Sequence, residues 1–79
     1  MISELSKELK VVGAKQTKRA LADGRAKKLF FALDADPRVT EPLVHLAEER
    51  CIPVEEVPSM KELGIACGIA VGSAVAALV

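Results

Sequence analysis

Val11-Val12-Gly13-Ala14-Lys15-Gln16-Thr17-Lys18-Arg19-Ala20-Leu21-Ala22-Asp23-Gly24 joins two kinds of structure across one glycine. Val11-Val12 is a brief apolar run, read as a short strand ended by Gly13. Residues 14–22 read as a helix, closed by Asp23-Gly24 as a glycine C-cap signal. On a wheel of about 100° per residue, with Lys15 at 0°, Arg19 falls near 40°, Gln16 near 100°, Thr17 near 200°, Leu21 near 240° and Lys18 near 300°. Lys15, Gln16 and Arg19 therefore share a polar face, and Thr17 and Leu21 lie where a core would be. Lys18 leans toward phosphate or solvent. The helix start offers free backbone N–H groups, and Lys, Gln and Arg reach phosphates or base edges, so the segment suits an anionic partner.

The surrounding chain alternates strands and helices. Residues 3–9 predict a short helix capped by Ser3, with Leu5 and Leu9 on one side. Leu29-Phe30-Phe31-Ala32-Leu33 is an uninterrupted apolar run flanked by charge, which fits a strand buried on both faces. Asp34-Ala35-Asp36-Pro37 reads as a turn. A second helix is expected over residues 40–50, capped by Thr40 with Glu41 and Pro42 in its first turn and Leu43, Val44, Leu46 and Ala47 facing inward. Val54 and Val57 mark a third strand limited by Pro53 and Pro58. Ser59 caps a short helix containing Leu63, with Glu62 completing a capping-box pattern. Residues 74–79 predict a last strand. This alternation argues for one α/β domain over residues 1–79, with helices on both faces of the sheet.

Composition narrows the function. Net charge is zero, but residues 7–28 hold eight basic and two acidic side chains, and residues 29–79 hold three basic and eight acidic. A basic patch of that kind attracts an anion over about a Debye length, and the acidic remainder limits indiscriminate binding. Cys51 and Cys67 match no metal spacing; both are expected to be buried thiols in a reducing cytoplasm. Met1-Ile2-Ser3-Glu4 lacks the pattern of a secretory signal. With Phe30 and Phe31 the only aromatics, base stacking on an aromatic platform is not expected.

Catalytic chemistry is not evident. His45 has no second histidine and sits among Leu43, Val44 and Leu46. Asp34 and Asp36, beside Pro37, read as turn and cap residues. The Walker pattern fails at Gly13 because no glycine precedes a Lys-Ser/Thr pair. No catalytic residue, metal ligand or cofactor is therefore expected. Residues 63–79 run for seventeen positions without a charge, with Gly64, Gly68 and Gly72 spaced by four as in paired membrane helices. Against a membrane anchor stand the short length, the Ala/Gly content and the missing interfacial anchors. The alternative makes Gly68-Ile69-Ala70-Val71-Gly72 an exposed loop with apolar side chains between helix and strand, whose Ile and Val either form a contact surface or simply pack.

Gly13-Ala14-Lys15-Gln16-Thr17-Lys18-Arg19-Ala20-Leu21, followed by Gly24, resembles the signature of the kink-turn RNA-binding superfamily, which includes the archaeal L-seven-Ae ribosomal protein and its box C/D relatives. Leu63-Gly64-Ile65-Ala66-Cys67-Gly68 is similar to its second signature and Asp34-Ala35-Asp36-Pro37 to a third. The Lys15-Gln16 pair, where archaeal members carry Asn-Glu, is similar to the small bacterial members. The resemblance implies a three-layer α-β-α sandwich around a four-stranded mixed sheet. It implies a structured RNA partner with a kink-turn (tandem sheared G·A pairs beside a bulge), as in ribosomal RNA, and demands no protein partner. It further implies that the N–H groups of the helix starting at Gly13 and Ala14 meet phosphates, that Lys15, Gln16 and Arg19 reach guanine edges, and that Ile69, Ala70 and Val71 cover an extruded nucleotide, with Lys18 left to phosphate or solvent. Ordinary A-form RNA hides its major groove, so shape would select the site before any base is read. A protein-interaction module whose basic face is only a solvated helix is the competing reading.

Overall fold

The computed structural model describes residues 9–79. The helix expected from Ser3 lies outside the described residues, except that Leu9 is not helical; its carbonyl accepts from the Val79 N–H at 3.0 Å. The elements run β1 (Lys10–Val12), α1 (Ala14–Ala22), β2 (Lys28–Ala32), α2 (Pro37–Glu49), β3 (Val54–Val57), α3 (Met60–Cys67) and β4 (Val75–Leu78). The strands form one mixed sheet in the order β1-β4-β2-β3. β4 is antiparallel to both neighbours, pairing Val12 with Ala76 and Phe31 with Val75, and β2 runs parallel to β3, pairing Phe30 with Glu55.

The two central strands are apolar on both faces, and their side chains alternate between two cores. Leu29, Val75 and Ala77 point to one face, where they meet Ala20 and Leu21 of α1 and Leu43 and Ala47 of α2. Phe30, Ala32, Ala76 and Leu78 point to the other and meet Leu63 and Cys67 of α3. The period of two along a strand thus sorts one apolar run into two layers of packing. Phe30 is fully enclosed, a burial that contributes about 2–3 kcal/mol. The result is the three-layer α-β-α sandwich around a four-stranded mixed sheet that the resemblance implied.

Local chemistry sets the helix ends, and here the structure corrects three expectations. First, α2 begins at Pro37, not after Thr40. Asp36 is its N-cap: Oδ1 accepts from the Arg38 N–H at 2.9 Å, and Pro37 occupies the first turn, where its missing donor costs nothing. Thr40 is therefore buried inside the helix, and Pro42 also lies within it, on the exposed side. Second, the β2 strand stops at Ala32; Leu33 is 57% exposed beyond it and Phe31 is only half-buried. Third, Cys67 is buried as expected but Cys51 is exposed.

The reason for Cys51 lies in how α2 ends. The Ile52 N–H donates to the Ala47 carbonyl at 2.8 Å and the Cys51 N–H to Glu48 at 3.1 Å, the paired bonds of a Schellman motif. That motif needs a left-handed residue, and Cys51 supplies it at φ 58°. A side chain in this conformation points outward and is strained by about 1–2 kcal/mol. Glycine would remove that strain, at a cost of about 0.5–1 kcal/mol in unfolded-chain entropy. Cys51→Gly is therefore expected to stabilise the fold by about 0.5–1 kcal/mol, read as a higher urea midpoint with unchanged slope; Cys51→Ala should give no such gain.

Candidate nucleic-acid interface

The sheet topology gathers three sequence-distant segments at one end. β1, β2 and β3 finish there and β4 starts there, so Gly13, the turn after β2 and the segment between α3 and β4 become neighbours. The Gly13 N–H donates to the Val75 carbonyl at 3.0 Å, fastening the start of α1 to the start of β4. The Ala32 N–H donates to the Ala74 carbonyl at 2.9 Å, and Leu33 to Val57 at 2.9 Å.

Of the three helices among the described residues, α1 alone starts without a side-chain cap. Asp36 caps α2 and Ser59 caps α3, its hydroxyl accepting from the Glu62 N–H at 3.1 Å. Gly13 has no side chain to offer, so the N–H groups of Ala14, Lys15 and Gln16 open outward without an intrahelical acceptor. Its φ of 95° turns the chain from strand to helix in a single residue, a conformation that a Cβ would strain. No acidic side chain stands in the first turn to neutralise the helix dipole.

The wheel reading holds. Thr17, Ala20 and Leu21 are fully buried, and Lys15, Gln16, Lys18 and Arg19 are exposed. Among the described residues no carboxylate pairs with Lys15, Lys18 or Arg19. In contrast, Lys28 on β2 is largely buried, pairs with Glu55 at 2.8 Å and lies over the Phe30 ring. Lys28 holds the Glu55 carboxyl below its ordinary range.

The loop of Ile69, Ala70 and Val71 is exposed, with Ile69 at 36% and Val71 at 71%. Its backbone, however, is held closely. The Ile69 N–H donates to the Gly64 carbonyl at 3.0 Å and the Ser73 N–H to the Met60 carbonyl at 3.1 Å. A Cβ on Gly64 would run into the Val71 carbonyl oxygen, so this backbone crosses directly over a helical glycine. The uncharged stretch 63–79 is thereby divided into the end of a short helix, a loop and a strand. No helix among the described residues is long and apolar enough to cross a membrane.

One part of the surface was not anticipated. A groove of about 310 Å³ separates α1 from α2, with Lys15, Lys18 and Arg38 around a floor that includes Val39, Pro42 and Leu46. The Arg38 guanidinium also grips the Asp36 carboxylate, at 2.9 Å through Nη2, and holds that carboxyl below its ordinary range. Because α2 was expected to start at Thr40, Arg38 fell in a turn and its place beside α1 was invisible.

Residues 3–79 match the ribosomal protein L7Ae/L30e/S12e/Gadd45 family. The chain belongs to that family. Among relatives, the RNA-binding protein YbxF of Geobacillus stearothermophilus is 47% identical over 68 residues, covering 86% of this chain and 83% of its own. An RNA-binding protein of Geobacillus sp. strain WCH70 is 48% identical over 69 residues, covering 87% and 84%. Among solved structures, the Giardia lamblia 15.5kD RNA binding protein superposes with a TM-score of 0.85 at 25% identity, covering 98% of this chain and 66% of that one. The L7Ae-type architecture is thus shared with structures of much lower sequence similarity.

Proposed function

We propose that this member of the L7Ae family is a non-catalytic, cytoplasmic RNA-binding protein that recognises and stabilises kink-turns in ribosomal or other structured RNA. The observation that supports this most is the convergence at one end of the sheet: a helix tip without a side-chain cap, whose Lys15 and Arg19 pair with no carboxylate among the described residues, stands beside an exposed apolar loop whose backbone is fixed. The tip offers N–H groups and cations to phosphates, and Lys15, Gln16 and Arg19 reach purine edges where a sharp bend widens the groove. Gln16 both donates and accepts, so it fits a guanine edge without the charge of a carboxylate. Ile69, Ala70 and Val71 supply an apolar cover for an extruded nucleotide. Binding favours the folded RNA over the extended one, so the protein shifts the RNA's own equilibrium.

The test is a titration at one fixed salt concentration, since phosphate contacts make affinity salt-dependent. A kink-turn RNA with its G·A pairs should bind far more tightly than a duplex of equal length in which those pairs are replaced by Watson–Crick pairs. Equal affinity for the two would leave only non-specific attraction to phosphate and would remove the kink-turn reading.

A further inference from the structure

The three segments at the sheet end are joined by a single run of hydrogen bonds. The Val75 carbonyl accepts twice: from the Gly13 N–H at 3.0 Å and from the Ser73 hydroxyl at 2.7 Å. The Ser73 N–H donates in another direction, to the Met60 carbonyl at 3.1 Å. The Met60 N–H donates to Asp34 Oδ1 at 2.8 Å, across 26 residues of sequence. The run therefore passes from the start of α1, through β4 and the end of the loop, to the first turn of α3 and the turn after β2.

We propose that Ser73 and Asp34 are positioning residues that set where loop 69–71 stands relative to the α1 tip, and so govern its contact with an extruded nucleotide. This rests on the RNA reading above. Ser73 is buried, which shields its hydroxyl bond from competition by water. Its two donors fasten the loop's end to different elements, α3 and β4, which fixes the position of the chain between them. Gly72 completes the clamp, since a Cβ there would press on Met60. Yet this clamped backbone still presents apolar side chains to solvent, Val71 for most of its surface and Ile69 for about a third. A loop that served only to fill the core would bury them. A rigid backbone presenting apolar side chains instead lowers the ordering cost of a contact made outside the protein.

The experiment uses two kink-turn RNAs, one intact and one abasic at the bulged position, with wild type, Ser73→Ala, Asp34→Ala and Asp34→Asn. Wild type should bind the abasic RNA about tenfold more weakly, a change of about 1.4 kcal/mol. In Ser73→Ala and Asp34→Ala that penalty should largely disappear, because the loop no longer reaches the nucleotide in register. Asp34→Asn keeps a carbonyl acceptor for the Met60 N–H and should restore the penalty. A merely destabilised protein would lose affinity for both RNAs equally. If the folded variants keep the full abasic penalty, the relay does not position the loop. Should wild type fail to prefer a kink-turn over a straight duplex, the RNA reading fails, and amide exchange in the free protein decides the relay by itself. The amides of Ile69 and Ser73 should then exchange faster in Ser73→Ala and Asp34→Ala than in wild type; unchanged rates overturn the proposal.

Discussion

Lys15→Ala and Arg19→Ala are each expected to weaken binding to a kink-turn RNA by about 1–3 kcal/mol, a loss of about 5- to 150-fold in affinity. The two side chains lie on the exposed face of α1, opposite the buried Thr17 and Leu21, so neither truncation removes packing. Alanine is also the best helix former, and α1 should persist in both variants. The loss should therefore appear in RNA affinity and not in thermal stability. Lys18→Ala provides the contrast. In the proposed reading Lys18, which stands off the face shared by Lys15, Gln16 and Arg19, meets only phosphate: its removal should lower affinity modestly and similarly for all RNAs, and reduce the salt dependence by about one unit of slope. If Lys15→Ala and Arg19→Ala lose no more discrimination between kink-turn and G·A-less RNA than Lys18→Ala does, neither side chain reads a base edge.

Gly64→Ala should be destabilising although it adds a single methyl group. By helix propensity alone, this replacement in the middle of α3 would stabilise by about 1 kcal/mol. The site forbids that gain. Gly64 is buried, and a Cβ would meet the Val71 carbonyl oxygen and crowd the Gly72 backbone, which are main chain and not a flexible side chain. Overpacking of this kind costs about 1–3 kcal/mol, so the net change is destabilising unless loop 69–72 lifts away from α3. Either response impairs the site. The expected result is a lower melting temperature, or an unchanged one accompanied by loss of the abasic penalty described above. A variant that melted higher and bound the two RNAs as wild type does would show that the loop's closeness to α3 constrains nothing.

Much of this was legible in the sequence because the signals are local. Gly13 and Gly24 frame α1 where the helix begins and ends, Pro53 and Pro58 bracket β3, and Ser59 caps α3 through its own third neighbour. Each involves residues a few positions apart. Asp34 and Asp36 were read as turn and cap residues: Asp36 caps α2, and Asp34 stands in the turn after β2 but also accepts from the Met60 N–H, 26 residues away, a bond that no local pattern contains. Thr40 looked like a cap because its type suits one; Asp36 followed by Pro37 starts the helix earlier. Cys51 looked buried because cysteine usually is, and the left-handed position at the end of α2 overrode that preference. For the interface, the polar face of α1 followed from 3.6-residue periodicity. Loop 69–71 has no periodicity; its glycine frame marked it as an exposed loop with apolar side chains, but its clamped backbone could be learned only from the fold. Arg38 was missed with the start of α2.

The place of β4 carries a consequence for how the protein comes into being. It is the latest of the described strands to be synthesised, yet it lies between β1 and β2 and is the only strand that bonds to both. Until it emerges, β1 with α1 and the parallel β2–β3 unit are two pieces with no ladder between them, and the carbonyl of Val75 that anchors Gly13 does not yet exist in the growing chain. The helix tip and the loop therefore cannot take up their mutual arrangement until β4 has slotted between the two pieces.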